Sequence, residues 1–255
     1  MGTPPTSPAV RTSKSPSSEP PRLGGAVQPV AALTRAERAR MHALLARYFE
    51  GVTRRGFEAD LAEKESAILL RDASGAIQGF STLLRMEERV GGETVVAYFS
   101  GDTIVDAAYR NTPALAQVWS RHVFRRAAEE HAPAYWFLIS SGYKTYRFLP
   151  AFFATFYPHA FGPTPPHERA ILDAVAHRKF PHEYDAATGV VRLRHATPLR
   201  EGVAEPTARH LRDPHVAFFV SANPGAAEGD ELACLTRIHP DNLTPAGRRM
   251  VGNAV

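Results

Sequence analysis

The chain has 255 residues, 44% of them hydrophobic, which is enough to bury the core of one domain. Its formal net charge is +4 and its Lys and Arg residues are scattered, which excludes a dedicated nucleic-acid surface but suits an anionic small ligand or an acidic carrier protein. A single cysteine, Cys234, excludes an internal disulfide, and no apolar window has the length of a membrane span. Because the N-terminus also lacks the apolar core of a signal peptide, we expect a cytoplasmic protein.

The first 25 residues form a polar segment of their own. They are rich in Pro, Ser, Thr and Gly and show no apolar period, which predicts a disordered tail. The folded part should begin with a helix, since Thr34 and Glu37 have capping-box spacing and apolar residues follow at intervals of three and four. This helix should end near Gly51, and a shorter helical pattern covers residues 57–65.

Three strands should follow as an antiparallel meander. Residues 66–72 and 76–84 are apolar runs separated by Ala-Ser-Gly, in which Gly75 can supply the positive φ of a hairpin turn. The pair Gly91-Gly92 predicts a second turn, and residues 94–106 a third strand.

Residues 95–158 are predicted to form the centre of the fold. They show a strand, helix, strand, helix pattern, and the apolar run at residues 135–139 has the character of a buried central strand. A helical crossover makes its two strands parallel neighbours. Because open sheets bind ligands beyond the carboxyl ends of such strands, we expect the chemistry between residues 106–112 and residues 140–146.

Residues 161–255 are predicted to be a C-terminal α/β extension packed on the same domain. A short helix over residues 168–177 and a turn with a strand over residues 184–193 come first. Residues 216–220 and 231–238 are apolar runs that predict a final pair of strands. Since Phe218 and Phe219 would lie on opposite faces of one strand, at least one of them should be buried.

The order of these elements, together with the segment Tyr109-Arg110-Asn111-Thr112-Pro113-Ala114-Leu115, resembles the GNAT superfamily, which transfers acyl groups from acyl-coenzyme A to amines. The resemblance covers about residues 28–160 and implies an acyltransferase domain over residues 26–160. It implies an α/β fold with a GNAT-like mixed sheet, in which an antiparallel meander precedes a parallel βαβα unit. It also implies that the fifth strand splays from the fourth to admit the pantetheine arm.

The resemblance further assigns the donor site. In the family, a loop of pattern Arg/Gln-x-x-Gly-x-Gly/Ala binds the pyrophosphate through amides at a helix N-terminus. The resemblance implies that the loop residues Arg110, Asn111, Thr112 and Ala114 bind the pyrophosphate here. It implies that Ile104 and Val105, at the end of the fourth strand, hold the thioester carbonyl. Pro113 and Leu115 stand where glycines are expected, so one amide donor is missing and the backbone is more crowded. The alternative is an ordinary helix start after Thr112 that binds no phosphate.

Two residues are candidates for acid–base catalysis. Asp102 follows Gly101 inside an otherwise apolar strand, and a carboxylate there can take the proton of an acceptor amine. The resemblance implies a tyrosine after the fifth strand that protonates the departing thiolate, and the spacing favours Tyr146 over Tyr143. The alternatives are a structural Asp102 that faces the surface or is hydrogen-bonded, and a buried Tyr146 whose hydroxyl is merely paired.

No metal site is expected from the histidines. His177, His182 and Glu183 fit no zinc spacing, and Pro181 interrupts them. Cys234 lies in a strand-like run, where an inert core thiol is the expected role. We therefore expect neither a metal nor a cysteine nucleophile.

The preferred function is an N-acyltransferase. It would move an acyl group from acetyl-CoA, another acyl-CoA or an acyl carrier protein to a small-molecule amine. The altered loop leaves a second function open, a non-catalytic GNAT-like binding or regulatory module that has lost the CoA site. A third is an unrelated α/β enzyme whose site is built by the C-terminal extension.

Overall fold

A single mixed sheet forms the centre of the molecule. The structure is a computed structural model that describes residues 23–109, 112–203 and 205–252. Within these residues eight strands pair in the order β1-β2-β3-β4-β5-β8-β7-β6. The strands are β1 (Gly24–Pro29), β2 (Ser66–Arg71), β3 (Ile77–Val90), β4 (Glu93–Val105), β5 (Ala134–Ser140), β6 (Tyr184–Asp185), β7 (Val190–Val191) and β8 (Glu231–Arg237).

Helices cover both faces of this sheet. They are α1 (Arg35–Tyr48), α2 (Arg54–Ala62), α3 (Ala114–Ala128), α4 (Tyr143–Tyr146), α5 (Phe148–Phe152), α6 (Pro166–Lys179), α7 (Pro214–Ala222) and α8 (Pro245–Val251). The core residues of α1, α2 and α6 lie on one face, and those of α3, α7 and α8 on the other. Consecutive residues of β4 show the division, since Tyr98 belongs to the α3 core and Phe99 to the α6 core. In the described part of the chain no helix combines the length and apolarity needed to cross a membrane.

Local sequence signals account for the first half of the fold. The predicted capping box is present, because the Thr34 hydroxyl accepts the Glu37 amide N–H at 3.2 Å and the Thr34 amide N–H donates to Glu37 Oε2 at 2.7 Å. The predicted turns are also confirmed, with φ of 83° at Gly75, where a side chain would be strained. The antiparallel meander of β2, β3 and β4 follows from these turns.

The central parallel pair is confirmed as well. Strand β5 runs parallel to β4, with Val96 opposite Ala134 and Ser100 opposite Leu138, and α3 is the crossover between them. On its other side β5 pairs with β8 in antiparallel fashion. The predicted fold class, a GNAT-like mixed sheet with an α/β extension, is therefore the one observed.

Two elements differ from the predictions. Strand β1 begins at Gly24, inside the segment expected to be disordered, and pairs with β2 at the edge of the sheet. The predicted strand at residues 216–220 is wrong, because these residues lie in α7. The Asp213 side chain accepts the His215 amide N–H, and Pro214 takes the first helical position, where its missing N–H costs nothing. Phe219 is buried as expected, but on a helix.

Candidate functional site

The sheet opens between β4 and β5 at their carboxyl ends. The ladder between them ends at the pair Ser100 and Leu138, while β4 continues to Val105 against β3 alone. In the pairing of β3 with β4, Ser81 lies opposite Thr103 and Leu83 opposite Ser100. Between these two pairs β4 therefore has one residue more than β3. This β-bulge contains Gly101 and Asp102 and turns the strand at the mouth of the gap. The gap lies at the strand ends where the sequence predicts the chemistry.

Gly101 is required by the packing at the bulge. A Cβ atom on this residue would lie 2.6 Å from Lys64 Cε and 2.6 Å from Thr82 Oγ1. The glycine therefore lets the Lys64 side chain pass directly over β4. This close approach explains why a strand-weakening glycine stands inside an apolar strand.

Two lysines on the α2 and α6 side of the sheet flank the bulge. The Lys64 side chain is fully buried and its ammonium donates to Asp60 Oδ1 at 2.6 Å. The Lys179 ammonium donates to Glu63 Oε2 at 2.7 Å. Both ammonium groups lie 5.5 Å from the centre of the Phe99 ring, so cation–π attraction helps to hold them. Each lysine thus has a carboxylate partner on or next to α2.

Asp102 is left without such a partner. No described residue donates a hydrogen bond to its carboxylate or forms a salt bridge with it. Burial raises its pKa to about 7, the negative charge of Asp60 adds to the rise, and Lys64 and Lys179 oppose it. A carboxylate with a pKa near neutral is suited to take up and release protons at physiological pH.

A second carboxylate, Glu231, lies at the same end of the sheet. Ser140 pairs with Leu232, so Glu231 is level with Ser141, just beyond the end of β5. Burial raises the pKa of Glu231 to about 7, a Ser141 hydrogen bond opposes the rise, and the charges of Asp102 and Asp60 add to it. Glu231 was not among the site residues predicted from the sequence. The signal that could have indicated it is an acidic residue at the start of an apolar strand.

Tyr146 lies away from this cluster. Its side chain is fully buried on the α3 side of the sheet, with its ring 5.7 Å from that of Phe219. Its hydroxyl donates to the Pro158 carbonyl at 2.9 Å, and burial raises its pKa. The ionic neighbours of Asp102 come from the opposite side, so the structure does not bring the two predicted catalytic residues together. The environment of Tyr146 is the one described by the buried-aromatic alternative.

Tyr143 occupies a different position, at the first residue of α4 and directly beyond β5. Its hydroxyl lies 3.0 Å from His210 Nδ1, and the Thr207 amide N–H donates to the same nitrogen at 3.1 Å. Because Thr207 makes Nδ1 an acceptor, the Tyr143 hydroxyl is the donor in its pair with His210. Tyr143 belongs to the same α3-side core as Tyr146, but the partner of its hydroxyl is a histidine and not a backbone carbonyl.

The predicted donor site is divided between described and undescribed residues. Helix α3 begins at Ala114 with Pro113 at the N-cap, and no side chain caps it. The Thr112 hydroxyl is buried and has no hydrogen-bond partner among the described residues. An uncapped helix start with an orphaned hydroxyl fits an anionic group. The predicted residues Arg110 and Asn111 lie outside the described residues.

The backbone N–H groups of Ile104 and Val105, the two strand residues predicted to hold the thioester, point in opposite directions. The Asp106 amide N–H donates to the Gln78 carbonyl on β3 at 2.8 Å. Since alternate residues of a strand bond to the same neighbour, the Ile104 N–H is directed to β3 and the Val105 N–H away from β3. The Ile104 side chain is buried in the α1 and α2 core.

The other predicted roles concern metals and thiols. No group of three or more metal-binding side chains occurs in the described ranges. Cys234 is buried in β8, and burial raises the pKa of its thiol, so the environment is that of a core thiol.

No model of a known protein family matches the chain, and no curated protein matches it. Similar solved structures include a probable N-acyltransferase from Enterococcus faecalis V583, at 13% identity over 52% of this chain and 33% of that one, with a TM-score of 0.40. The GNAT family N-acetyltransferase YhbS from Escherichia coli, in complex with CoA, is 19% identical over 52% of this chain and 70% of that one, with a TM-score of 0.37.

A GCN5-related N-acetyltransferase from Kribbella flavida is 13% identical over 88% of this chain and 66% of that one, with a TM-score of 0.39. This chain thus spans 33% of the length of the Enterococcus protein and 66% of the Kribbella protein.

Proposed function

We propose that this protein is an acyltransferase that moves an acyl group from an acyl-CoA, or from a carrier-protein thioester, to an amine. The observation that carries the proposal is the gap between β4 and β5, with the carboxylate of Asp102, which no described residue pairs with, on the bulge at its mouth. A thioester needs a narrow slot to lie in, and an amine needs a base beside it. The gap offers both on neighbouring strands.

The donor would bind at the start of α3. The first-turn amides of this uncapped helix and the Thr112 hydroxyl would contact the pyrophosphate, with Ala114 as the first helical residue. Arg110 and Asn111 belong to the same proposal as residues of the preceding loop. The acyl carbonyl would then reach the strand end near Ile104 and Val105.

The reaction requires one proton to leave the acceptor and one to reach the leaving group. Asp102 would take a proton from the acceptor ammonium, and the free amine would attack the thioester carbonyl. The carbon–sulfur bond then breaks and the thiolate takes a proton. Tyr146 is the donor that the resemblance implies, but its hydroxyl is held by the Pro158 carbonyl. We choose Tyr143 as the donor, because it lies directly beyond β5 and its hydroxyl is bound to the His210 imidazole, which can supply a proton in turn.

A thermal-shift titration with acetyl-CoA and longer acyl-CoAs tests donor binding. A ligand that binds only the folded state raises its stability, by about 2.7 kcal/mol at a hundredfold excess over Kd. Thr112→Val should reduce the shift, whereas the control Thr188→Val, in the turn between β6 and β7, should leave it unchanged. No shift with any acyl-CoA contradicts a CoA donor. Binding without acyl transfer to a panel of amines favours the non-catalytic module.

A further inference from the structure

We propose that Glu231 is the second carboxylate of the acceptor site, placed across the end of β5 from Asp102 so that the two act as one proton acceptor. Glu231 is a positioning residue in this scheme, because it acts through Asp102. The inference deepens the proposed function and rests on it for the catalytic role alone. The pairing of the two carboxylates stands on the geometry of the sheet.

The strand register brings the two residues to one level. Leu138 on β5 lies opposite Ser100 on β4 and opposite Cys234 on β8. Asp102 and Glu231 therefore both lie beyond this row, on the two strands that flank β5. Paired neighbouring strands are about 5 Å apart, so the backbones of β4 and β8 are separated by about 10 Å at this row. Because β5 ends at Ser140, side chains from both flanks can extend into the space beyond it.

The two residues also share a face. Ala233 belongs to the core on the α6 side, and Glu231 precedes it by two residues along β8, so both side chains point to that side. The bulge places Gly101 and Asp102 together opposite Thr82, and the Gly101 position faces Lys64 and Thr82 on the α6 side. The two carboxylates therefore face the same side of the sheet, at the mouth of the gap.

Four charged or polar groups among the described residues act on the two carboxylates. Asp60 comes from α2, Lys64 from the turn after it, Lys179 from the end of α6, and the Ser141 hydroxyl from the residue after β5. Lys64 is bound to Asp60 and Lys179 to Glu63, so neither forms a salt bridge with Asp102 or Glu231 among the described residues. Two acidic groups that lack a lysine partner repel one another, and each raises the proton affinity of the other.

This arrangement has a chemical consequence. A pair of interacting carboxylates holds one proton firmly and releases the other at lower pH. When the acceptor ammonium approaches, it meets the remaining negative charge of the pair. Its proton moves to the Asp102 oxygen, the nitrogen keeps the electron pair, and the protonated pair returns the proton to solvent after product release.

Nuclear magnetic resonance of the full chain with ¹³C-labelled Asp and Glu carboxyl groups tests the pairing without any substrate. The Asp102 signal is assigned by its absence in Asp102→Asn. In the unaltered protein each of the two signals should show both titration steps of the pair. In Glu231→Gln the pKa of Asp102 should fall by about one unit or more, because the neighbouring charge is gone. Glu231→Asp keeps the charge and should keep most of the elevation.

The control is Glu228→Gln, an exposed residue three positions before β8. It should leave the Asp102 titration unchanged. An unchanged Asp102 titration in Glu231→Gln, or single-step curves in the unaltered protein, overturns the proposal. With activity in hand, Glu231→Gln should shift the acid limb of kcat/KM to lower pH in parallel with the Asp102 pKa. If no acyl transfer is found but the titrations couple, the proposed function fails while the pairing stands.

Discussion

Asp102 and Tyr146, predicted as the base and the proton donor of one reaction, lie in different environments. The sequence singles out Asp102 because a carboxylate inside an apolar strand is costly, and the structure gives it a bulge, a buried lysine nearby and a pKa of about 7. Tyr146 was selected by its spacing from the strand end alone. That spacing does not determine which side of the sheet the ring occupies, and here it turns into the core.

The hydroxyl of Tyr146 therefore has a structural role in our account. Tyr146→Phe should lower the free energy of unfolding by about 1 kcal/mol, since the Pro158 carbonyl loses its donor. Denaturant unfolding measures this change. Tyr143→Phe is the matched change at the preferred proton donor, and it should lower kcat with little effect on the KM for the acyl-CoA. A tenfold loss of turnover in Tyr146→Phe at unchanged stability would return the donor role to that residue.

At the scale of elements, the sequence predicts what local patterns encode. Helix α1 and strands β2 to β5 follow from a capping box, glycine turns and apolar periods that involve neighbouring residues. Residues 216–220 were misassigned because a short, continuous apolar run suits a strand or a buried helix equally, and Asp213-Pro214 decides for the helix. Glu231 was not predicted as a site residue, because its position relative to Asp102 depends on the register of β8 with β5. No local sequence pattern specifies that register.

Strand β1 gives a prediction about the N-terminal boundary. It pairs with β2 along its whole length, and Gly25 packs so closely that a Cβ there would lie 2.3 Å from Val118 Cγ2 on α3. Deletion of residues 1–22 should leave the melting temperature within about a degree, because their composition supports no burial. Deletion of residues 1–29 should lower it clearly, because β2 loses its neighbour. Equal melting temperatures for the two deletions would show that β1 adds nothing to stability.

At the scale of the whole molecule, the two raised carboxylates link stability to pH. Asp102 and Glu231 have pKa values of about 7 in the folded protein and ordinary carboxyl values when unfolded. At a pH between the unfolded and folded pKa values, the folded state binds more protons than the unfolded state. The stabilisation that both groups contribute is therefore full at low pH and is lost as the pH rises through about 7.

The variants Asp102→Asn and Glu231→Gln should accordingly melt higher than the unaltered protein at pH 8, with the difference vanishing near pH 4. Melting curves across this range measure the effect. The exposed Glu228→Gln provides the control and should follow the unaltered protein at every pH. A variant that melts lower at pH 8 would show that the charged carboxylate is stabilised in the fold, contrary to its raised pKa.

The central claim is that this protein is an acyltransferase with its base on the β4 bulge. Its most direct test is the rate at which CoA is released from an acyl-CoA in the presence of an amine. This rate is measured against pH for the unaltered protein and for Asp102→Asn. Asp185→Asn, at the last residue of β6, is the matched control. We predict that kcat/KM falls below a pKa of about 7, since a protonated Asp102 cannot accept the proton of the amine. Asp102→Asn should lower kcat/KM by about 10²- to 10⁴-fold and leave acyl-CoA binding intact. Full activity in Asp102→Asn, with the same acid limb, would contradict the account.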